Sequence, residues 1–422
     1  MFHDGFSSRG HRKVLRRLDI ACVLLLTLNI LYILVDAMFD NVPTFTSIPV
    51  RKCTSLRLDW ATGDVFRPVA EEKADSQDGA ERFLGSGRQD NRLLPAWLQE
   101  ARSDGGQVNA DSNMVASVDD SPPRLNVCPE FPTNLRGELT CLCDPVTPES
   151  IQASWPHLEP GGRLRPLSCR PRERLAIIIP FSNRLPHLHT LIRNLLPILD
   201  AQRVDATFFV IEQLAPAMFN RAALHNIGFL ESQRMGAFDC YIFHDVDLVP
   251  MDDRILYRCG DHPRHFAVSI KRHGRRAAKK MYNEYFGGVV GLTSSQYTDV
   301  NGNSNLYFGW GGEDDDLLLR ILTKGYNRVQ EKPDIYRYQM LHHDRNDQNR
   351  GNVDRMLLLQ TAVDRQDYEG LSTTKYTVKE IRHQQLYVWV SVSLNMTELL
   401  LTAPDYTLSA IRSLLEISKT VT

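Results

Sequence analysis

Two carboxylates stand one residue apart in the stretch CYIFHDVDLVP, residues 240–250. Asp245 and Asp247 follow an apolar run, Tyr241–Phe243, that reads as a buried strand. Side chains at i and i+2 of a strand share a face, so the sequence predicts these acids side by side at a strand end. Like charges that close repel unless a cation lies near them. A cation site and an acidic surface turn are the two readings of this stretch taken alone. A second acidic run is denser: FGWGGEDDDLLLRIL, 308–322, sets Trp310, Gly311 and Gly312 before Glu313, Asp314, Asp315 and Asp316. Acids in the first turn of a helix favour its dipole, but one or two suffice for that, and four in a row repel one another. Glycines let the backbone approach a ligand closely. A Trp beside carboxylates suits a sugar, because the ring packs on its apolar face while the acids accept hydroxyl hydrogen bonds. A third stretch, YQMLHHDRNDQNRGNVDR (338–355), puts Met340, His342 and His343 ahead of a polar, glycine-bearing segment. Carboxylate plus imidazole suits a divalent transition metal such as Mn²⁺, and the polar segment would serve as a mobile lid. Together these residue types meet the requirements of glycosyl transfer from a nucleotide-sugar. A metal takes the charge developing on the leaving diphosphate, and a carboxylate base removes the acceptor hydroxyl proton.

The elements that would position them follow from periodicity. LAIIIP (175–180), ATFFVIEQ (206–213) and CYIFHD (240–245) read as strands. HLHTLIRNLLPILD (187–200), interrupted by Pro197, and NRAALHNIGFLESQ (220–233) read as amphipathic helices, and DLLLRILTKG as a helix ending at Gly325. This alternation predicts an α/β domain around a mostly parallel central sheet. In such sheets ligands bind at the carboxyl ends of strands, where Pro180–Arg184 and Asp245–Asp247 both fall. No G-x-G-x-x-G follows the first strand, and no G-x-x-x-x-G-K-[ST] or G-x-S-x-G occurs, which disfavours dinucleotide, P-loop and α/β-hydrolase readings.

The amino terminus sets the expected compartment. Residues 20–39 are mostly apolar and, at about 1.5 Å per residue, span the roughly 30 Å of a bilayer core. Arg12, Lys13, Arg16 and Arg17 precede them, so residues 1–19 read as a cytoplasmic tail and the rest of the chain as lumenal. Residues 40–126, polar and aperiodic, read as a flexible stem, leaving 127–422 as the catalytic domain. Of eight cysteines none forms C-x-x-C, so disulfides are expected in a lumenal compartment rather than a zinc ribbon. Asn395-Met-Thr397 is an N-glycosylation sequon. With 49 Lys+Arg against 51 Asp+Glu, nothing in the charge balance points to nucleic acid.

From about Cys128 to about Thr402 the chain resembles the β-1,4-galactosyltransferase family, on the stretches IIIPFSNR, FNRAALHNIGF, FHDVDLVP, PRHFAV, EYFGGVVGLT and GWGGEDDDLLLR. LEPGGRLRPLSCRPR and VSVSLNMTEL are most similar to the branch containing lactosylceramide synthases. The resemblance implies a GT-A-like nucleotide-sugar-binding domain in a Golgi type II membrane protein. The implied reaction is inverting transfer of galactose from UDP-galactose to the 4-hydroxyl of a terminal sugar, GlcNAc or glucose, on a glycoprotein or glycolipid. It implies Asp314 as catalytic base and Asp247, Met340 and His343 as Mn²⁺ ligands. Pro180, Phe181, Arg184, Phe219, Arg221, Asp245, Val246, Tyr285 and Trp310 would contact the nucleotide-sugar, with Phe219 on the uracil. Gly312, Glu313 and Asp315 would contact the acceptor. Segment 340–360 would be the long lid. Cys128–Cys169 and Cys240–Cys259 would be the family's two disulfides, with Cys141 and Cys143 left over. Tyr285, before FGG, implies UDP-galactose where a smaller aliphatic residue would admit UDP-GalNAc. The chain departs from the family at Ser182, where Arg is usual, at Asn303-Ser304 and Tyr307-Phe308, and at Val353, where an aromatic is usual. A UDP-GalNAc transferase and an inactive sugar-binding protein of the secretory pathway are the alternatives.

Overall fold

The structure is a computed structural model that describes residues 125–282, 284–343 and 349–421. The tail, the span at 20–39 and nearly all of the stem lie outside the described residues, as do Cys22 and Cys53. Among the described residues no helix is long and apolar enough to cross a membrane.

The strands, in chain order, are β1 (Arg163–Leu164), β2 (Arg174–Phe181), β3 (Asp205–Gln213), β4 (Cys240–His244), β5 (Leu248–Pro250), β6 (Arg264–His265), β7 (Ser269–Lys271), β8 (Lys279–Lys280), β9 (Val289–Thr293), β10 (Val329–Gln330), β11 (Arg337–Met340), β12 (Thr377–His383) and β13 (Val388–Ser393). The helices are α1 (Pro148–Ser154), α2 (Leu185–Ala201), α3 (Arg221–Met235), α4 (Ser294–Asp299), α5 (Glu313–Thr323), α6 (Arg355–Gln360), α7 (Ala362–Arg365), α8 (Met396–Leu400), α9 (Asp405–Ala410) and α10 (Arg412–Val421). The large sheet runs β10-β6-β9-β4-β2-β3-β13-β12, with β1 paired to β3, and a smaller one runs β5-β11-β7-β8. β4-β2-β3-β13 is a continuous parallel block, and β10 and β6 pair parallel at the far edge. β9 and β12 pair antiparallel with the flanks of the block, so the sheet is mixed rather than mostly parallel. The flanking strands lie beyond the βαβ repeats that periodicity reveals.

β2 shows how sequence builds the layers. Its side chains alternate faces, as pleating requires: Leu175, Ile177 and Ile179 join one core and Ala176 and Ile178 the other. On the first face α2 lays down Leu188, Leu191, Ile192, Leu195 and Leu199, spaced by three and four. On the second, α3 supplies Ala223, Leu224 and Ile227. Each fully buried Ile or Leu contributes about 1.5–3 kcal/mol. Pro197 was expected to interrupt α2, yet the helix runs through it. Pro197 is exposed, so the carbonyl it leaves without a partner can turn to water. Cys128–Cys169 and Cys240–Cys259 pair as the resemblance implied, and the leftover Cys141 and Cys143 bond to each other.

Candidate active site

Asp245 lies just past β4, and residues 245–247 form a turn before β5, closed by Leu248 N–H donating to the Asp245 carbonyl at 3.4 Å. The turn breaks the strand alternation, yet the two acids remain near enough for the Asp247 charge to help raise Asp245. Each finds its own cation. Arg221, the first residue of α3, donates through Nη1 to Asp245 Oδ1 and Oδ2 at 2.8 and 2.9 Å. Arg184, at the N-terminus of α2, reaches Asp247 Oδ2 at 3.4 Å. Val246, expected at the nucleotide-sugar, has its side chain buried in the core beneath the turn.

A second strand end completes the Asp247 corner. β11 pairs antiparallel with β5, setting Met340 opposite Leu248, and Leu341 N–H donates to the Asp247 carbonyl at 2.8 Å. That register delivers His343, whose Nε2 lies 2.8 Å from Asp247 Oδ2. Arg184 Nη2 lies 3.1 Å from the other ring nitrogen, Nδ1. A guanidinium can only donate, so Nδ1 accepts and Nε2 carries the proton given to Asp247. Burial alone would raise the Asp247 carboxyl, but His343 and Arg184 hold it below its ordinary value. Among the described residues no three His, Cys, Asp or Glu side chains gather as a cation site. The candidate set here is a carboxylate, an imidazole and the Met340 thioether. Those oxygen, nitrogen and sulfur donors fit a divalent transition ion.

The acidic run begins α5. Gly312 caps the helix at φ 99°, a left-handed conformation that favours glycine, and a Cβ there would lie 2.7 Å from the Tyr307 ring. Arg221 Nη2 meets Glu313 Oε1 at 3.1 Å and also donates to Asp314 Oδ1. One arginine thus serves Asp245, Glu313 and Asp314. Burial pushes the Asp314 carboxyl up to about 7; Arg221 opposes this, while Glu313, Asp245 and Asp315 add to it. Asp245 is raised to about 6, also chiefly by burial. Glu313 Oε2 is buried with no hydrogen-bond partner among the described residues. Gly287 makes the approach possible: a Cβ there would stand 2.1 Å from Asp314 Oδ2 and 2.7 Å from Tyr285 Cε2. Tyr285 is therefore packed beside the candidate base. Burial, then Asp314, raises its phenol well above the ordinary value.

The remaining predicted residues surround this set. Pro180 and Phe181 end β2, and Phe181 packs edge-on against Trp389 at 4.9 Å. It lines a cleft of about 520 Å³ with Ser182, Asn183, Leu185, Glu212 and Trp389. The Phe219 carbonyl accepts from Gly309 N–H at 2.8 Å, tying the start of α3 to the Trp310 loop. Trp310 is 55% exposed, and its backbone bonds on both sides to residues 350–352, within the described stretch 349–360 of the expected lid. Asn395, exposed, caps α8 by accepting from Glu398 N–H at 3.0 Å. A larger cleft of about 880 Å³, bordered by Asn395, Tyr376 and Arg234, shares no residue with the acidic site. Sequence reading missed Tyr282, whose hydroxyl donates to Asp315 Oδ1 at 2.8 Å; an aromatic three positions before Tyr285 was the available signal. It also missed the structural role of Asp316, for which the i,i+4 spacing to Arg320 was the available signal.

The class follows from matches to two family models, "N-terminal region of glycosyl transferase group 7" over residues 128–260 and "N-terminal domain of galactosyltransferase" over 264–344. The chain is a glycosyltransferase. It is 42% identical over 269 residues to beta-1,4-galactosyltransferase 4 of Cricetulus griseus, covering 64% of this chain and 77% of that one. To beta-1,4-galactosyltransferase 2 of Mus musculus it is 41% identical over 274 residues, covering 64% and 73%. It also aligns with the catalytic domain of Drosophila beta-1,4-galactosyltransferase 7 crystallised with xylobiose, at 25% identity and TM-score 0.44, covering 52% of this chain and 94% of that one. The chain belongs to the β-1,4-galactosyltransferase family.

Proposed function

We propose that this enzyme transfers galactose from UDP-galactose to the 4-hydroxyl of a terminal sugar, GlcNAc or glucose, on a glycoprotein or glycolipid, with inversion to a β-1,4 link. The observation that carries the reading is the paired state of Asp314 and Glu313. Asp314 is a half-buried carboxyl pushed up to about 7, next to a buried Glu313 oxygen that lacks a donor among the described residues. Acceptor hydroxyls beside them would donate to the Glu313 oxygen and present a proton to Asp314. Asp314 takes the proton from the acceptor 4-hydroxyl as that oxygen attacks the anomeric carbon, the bond to the diphosphate breaks, and UDP leaves with the electron pair. Glu313 and Asp315 accept from neighbouring hydroxyls, and Trp310 offers an exposed ring for a sugar face. No covalent enzyme intermediate is needed.

Asp247, Met340 and His343 would hold Mn²⁺, His343 through Nε2 once that atom gives up the proton it shares with Asp247. When bound, the ion supplies positive charge against the leaving diphosphate. Arg184 and Arg221 face the same region and orient the nucleotide. Tyr285, packed against the base, favours galactose by filling the space an N-acetyl group would need. We further propose a Golgi type II arrangement with this domain lumenal and Asn395 glycosylated. The three disulfides and the exposed sequon asparagine support an oxidising compartment.

The test is the full-length chain in detergent with UDP-galactose or UDP-GalNAc, with Mn²⁺ or EDTA, and with GlcNAc or glucosylceramide as acceptor. Metal-dependent galactose transfer is expected. Preferential use of UDP-GalNAc would replace the donor assignment. No transfer from either donor by folded protein would overturn the reading in favour of a sugar-binding role.

A further inference from the structure

Residues 271–280 read KRHGRRAAKK: six of ten are Lys or Arg and none is acidic, against 49 Lys and Arg in the 422-residue chain. They form the β7–β8 hairpin, in which Ile270 pairs with Lys279 and Ser269 with Lys280. From Arg272 to Ala277, and again at Lys279 and Lys280, the hairpin is exposed. Among the described residues Lys271, Arg272, Arg276, Lys279 and Lys280 form no ion pair. β8 is the edge of the small sheet, and lysine on an edge strand discourages unwanted strand pairing. That explains Lys279 and Lys280. It does not explain the arginines of the turn.

The hairpin also runs directly into the acidic site. Two residues past β8, Tyr282 donates to Asp315 Oδ1 at 2.8 Å, and its ring lies 5.4 Å from that of Tyr285, which packs against Asp314. The other side of the hairpin, β7, pairs with β11, which carries Met340. A sugar chain whose terminal residue rests on Asp315 and Asp314 would therefore have its next residues close to a cationic surface.

We propose that the β7–β8 hairpin recognises acceptor oligosaccharides that carry anionic groups, sulfate, phosphate or carboxylate, on the sugars behind the one that receives galactose. The proposal rests on the galactosyl-transfer reading and adds a substrate class to it. Exposed cations act on such groups over about 10 Å at 0.1 M salt and about 3 Å at 1 M, so the selectivity is salt-dependent.

The experiment uses the full-length chain in detergent with three acceptors sharing one terminal sugar: neutral, sulfated on an inner sugar, and carboxylated on an inner sugar. The kcat/KM and acceptor binding are measured at low and high salt, for the wild type and for R276A/K279A/K280A. The anionic acceptors are expected to be favoured by roughly five- to tenfold at low salt, an advantage lost at high salt and in the variant. Kinetics with the neutral acceptor should change less than about twofold. A preference for only one anionic acceptor names the source and still supports the proposal. Equal use and equal binding of all three acceptors, unchanged in the variant, overturns the hairpin's role while leaving galactosyl transfer standing. A raised KM for UDP-galactose in the variant assigns the hairpin to the donor and overturns the proposal. Variant-sensitive binding to phosphatidylserine vesicles without acceptor preference assigns it to a lipid surface and does the same. Absence of transfer to every acceptor overturns the underlying reading, and binding then decides separately whether the hairpin selects anionic glycans.

Discussion

Asp314 and Asp316 stand two residues apart in the first turn of α5, and both are bonded to arginine, yet their surroundings differ in charge balance. On the Asp314 side one guanidinium, Arg221, is shared among Asp245, Glu313 and Asp314. On the Asp316 side two guanidiniums meet two acids. Arg320 donates to Asp316 Oδ1 and Glu369 Oε1, both at 2.6 Å, and Arg365 bonds to the same two carboxylates. All four of these side chains are buried. Burial would raise Asp316, but Arg365 and Arg320 hold its carboxyl below the ordinary value, while Asp314 is pushed up to about 7. The neutral cluster is closed, with Ser304 accepting from Arg365 at 2.7 Å and Tyr307 donating to Asp316 at 3.0 Å. The acidic cluster is open, with a Glu313 oxygen still lacking a donor among the described residues. The difference teaches that one acidic run can carry a scaffold and a site together, provided the arginines are shared unequally.

The largest effect should come from the open cluster. Asp314→Asn is expected to lower transfer by about 10²–10⁴-fold while UDP still binds in the presence of Mn²⁺; substantial residual turnover would remove Asp314 from the role of base. Next comes the closed cluster. Arg365→Met leaves Asp316 and Glu369 with one guanidinium instead of two and should destabilise the fold by about 3–5 kcal/mol, read as a lowered denaturant midpoint. If that variant instead lost activity at unchanged stability, the division between scaffold and site would fail.

Titration sharpens the contrast further. Transfer requires Asp314 ionised, so kcat/KM should rise with pH below about 7, approaching tenfold per unit, and level off above; a flat profile from pH 5 to 8 would contradict the raised carboxyl. The stability signs are opposite. A carboxyl raised by folding binds its proton more tightly when native, so its contribution is present at low pH and lost as pH rises toward 7. The lowered Asp316 contributes above its unfolded value and is lost as pH falls. Asp314→Asn should therefore be at least as stable as wild type at pH 8 and gain nothing at pH 4, measured by thermal melting. The smallest effect is on donor choice. Tyr285→Leu should raise the ratio of UDP-GalNAc to UDP-galactose use by about tenfold, and an unchanged ratio would make Tyr285 packing alone.

Buried hydrogen bonding, for Ser304 and Tyr307 within the closed cluster, accounts for departures that looked arbitrary in the sequence. Asn303, Ser304 and Tyr307 replace residues usual in the family, and all three are buried and hydrogen-bonded. Asn303 bonds to the Tyr297 hydroxyl at 2.9 Å, and its backbone N–H bonds to Asn226 at 3.0 Å. Ser304 and Tyr307 supply oxygens around Arg365. Reading along the chain could not reveal this, because Ser304 lies 61 residues from its partner Arg365.

Local pattern alone determined that strands and helices alternate, that residues 175–180 form an apolar strand, that glycines adjoin the acidic run, and that Asp245, Asp247 and Glu313–Asp316 belong to a site or its frame. These features are legible because pleat and helix periods, glycine freedom and local charge repulsion act over a few residues. The tertiary structure decided the rest. It flanked the parallel block with antiparallel strands, turned Asp245 and Asp247 toward separate cations, and paired Cys141 with Cys143. It also set how the acids of the run divide between the site, where the resemblance had placed Asp314, and the frame, where Asp316 is a strut. That last choice is made by Arg221, 93 residues before Asp314, and by Arg365, 49 residues after Asp316. Carboxylates of one type acquire different chemistry only when folding fixes how many positive charges each must share.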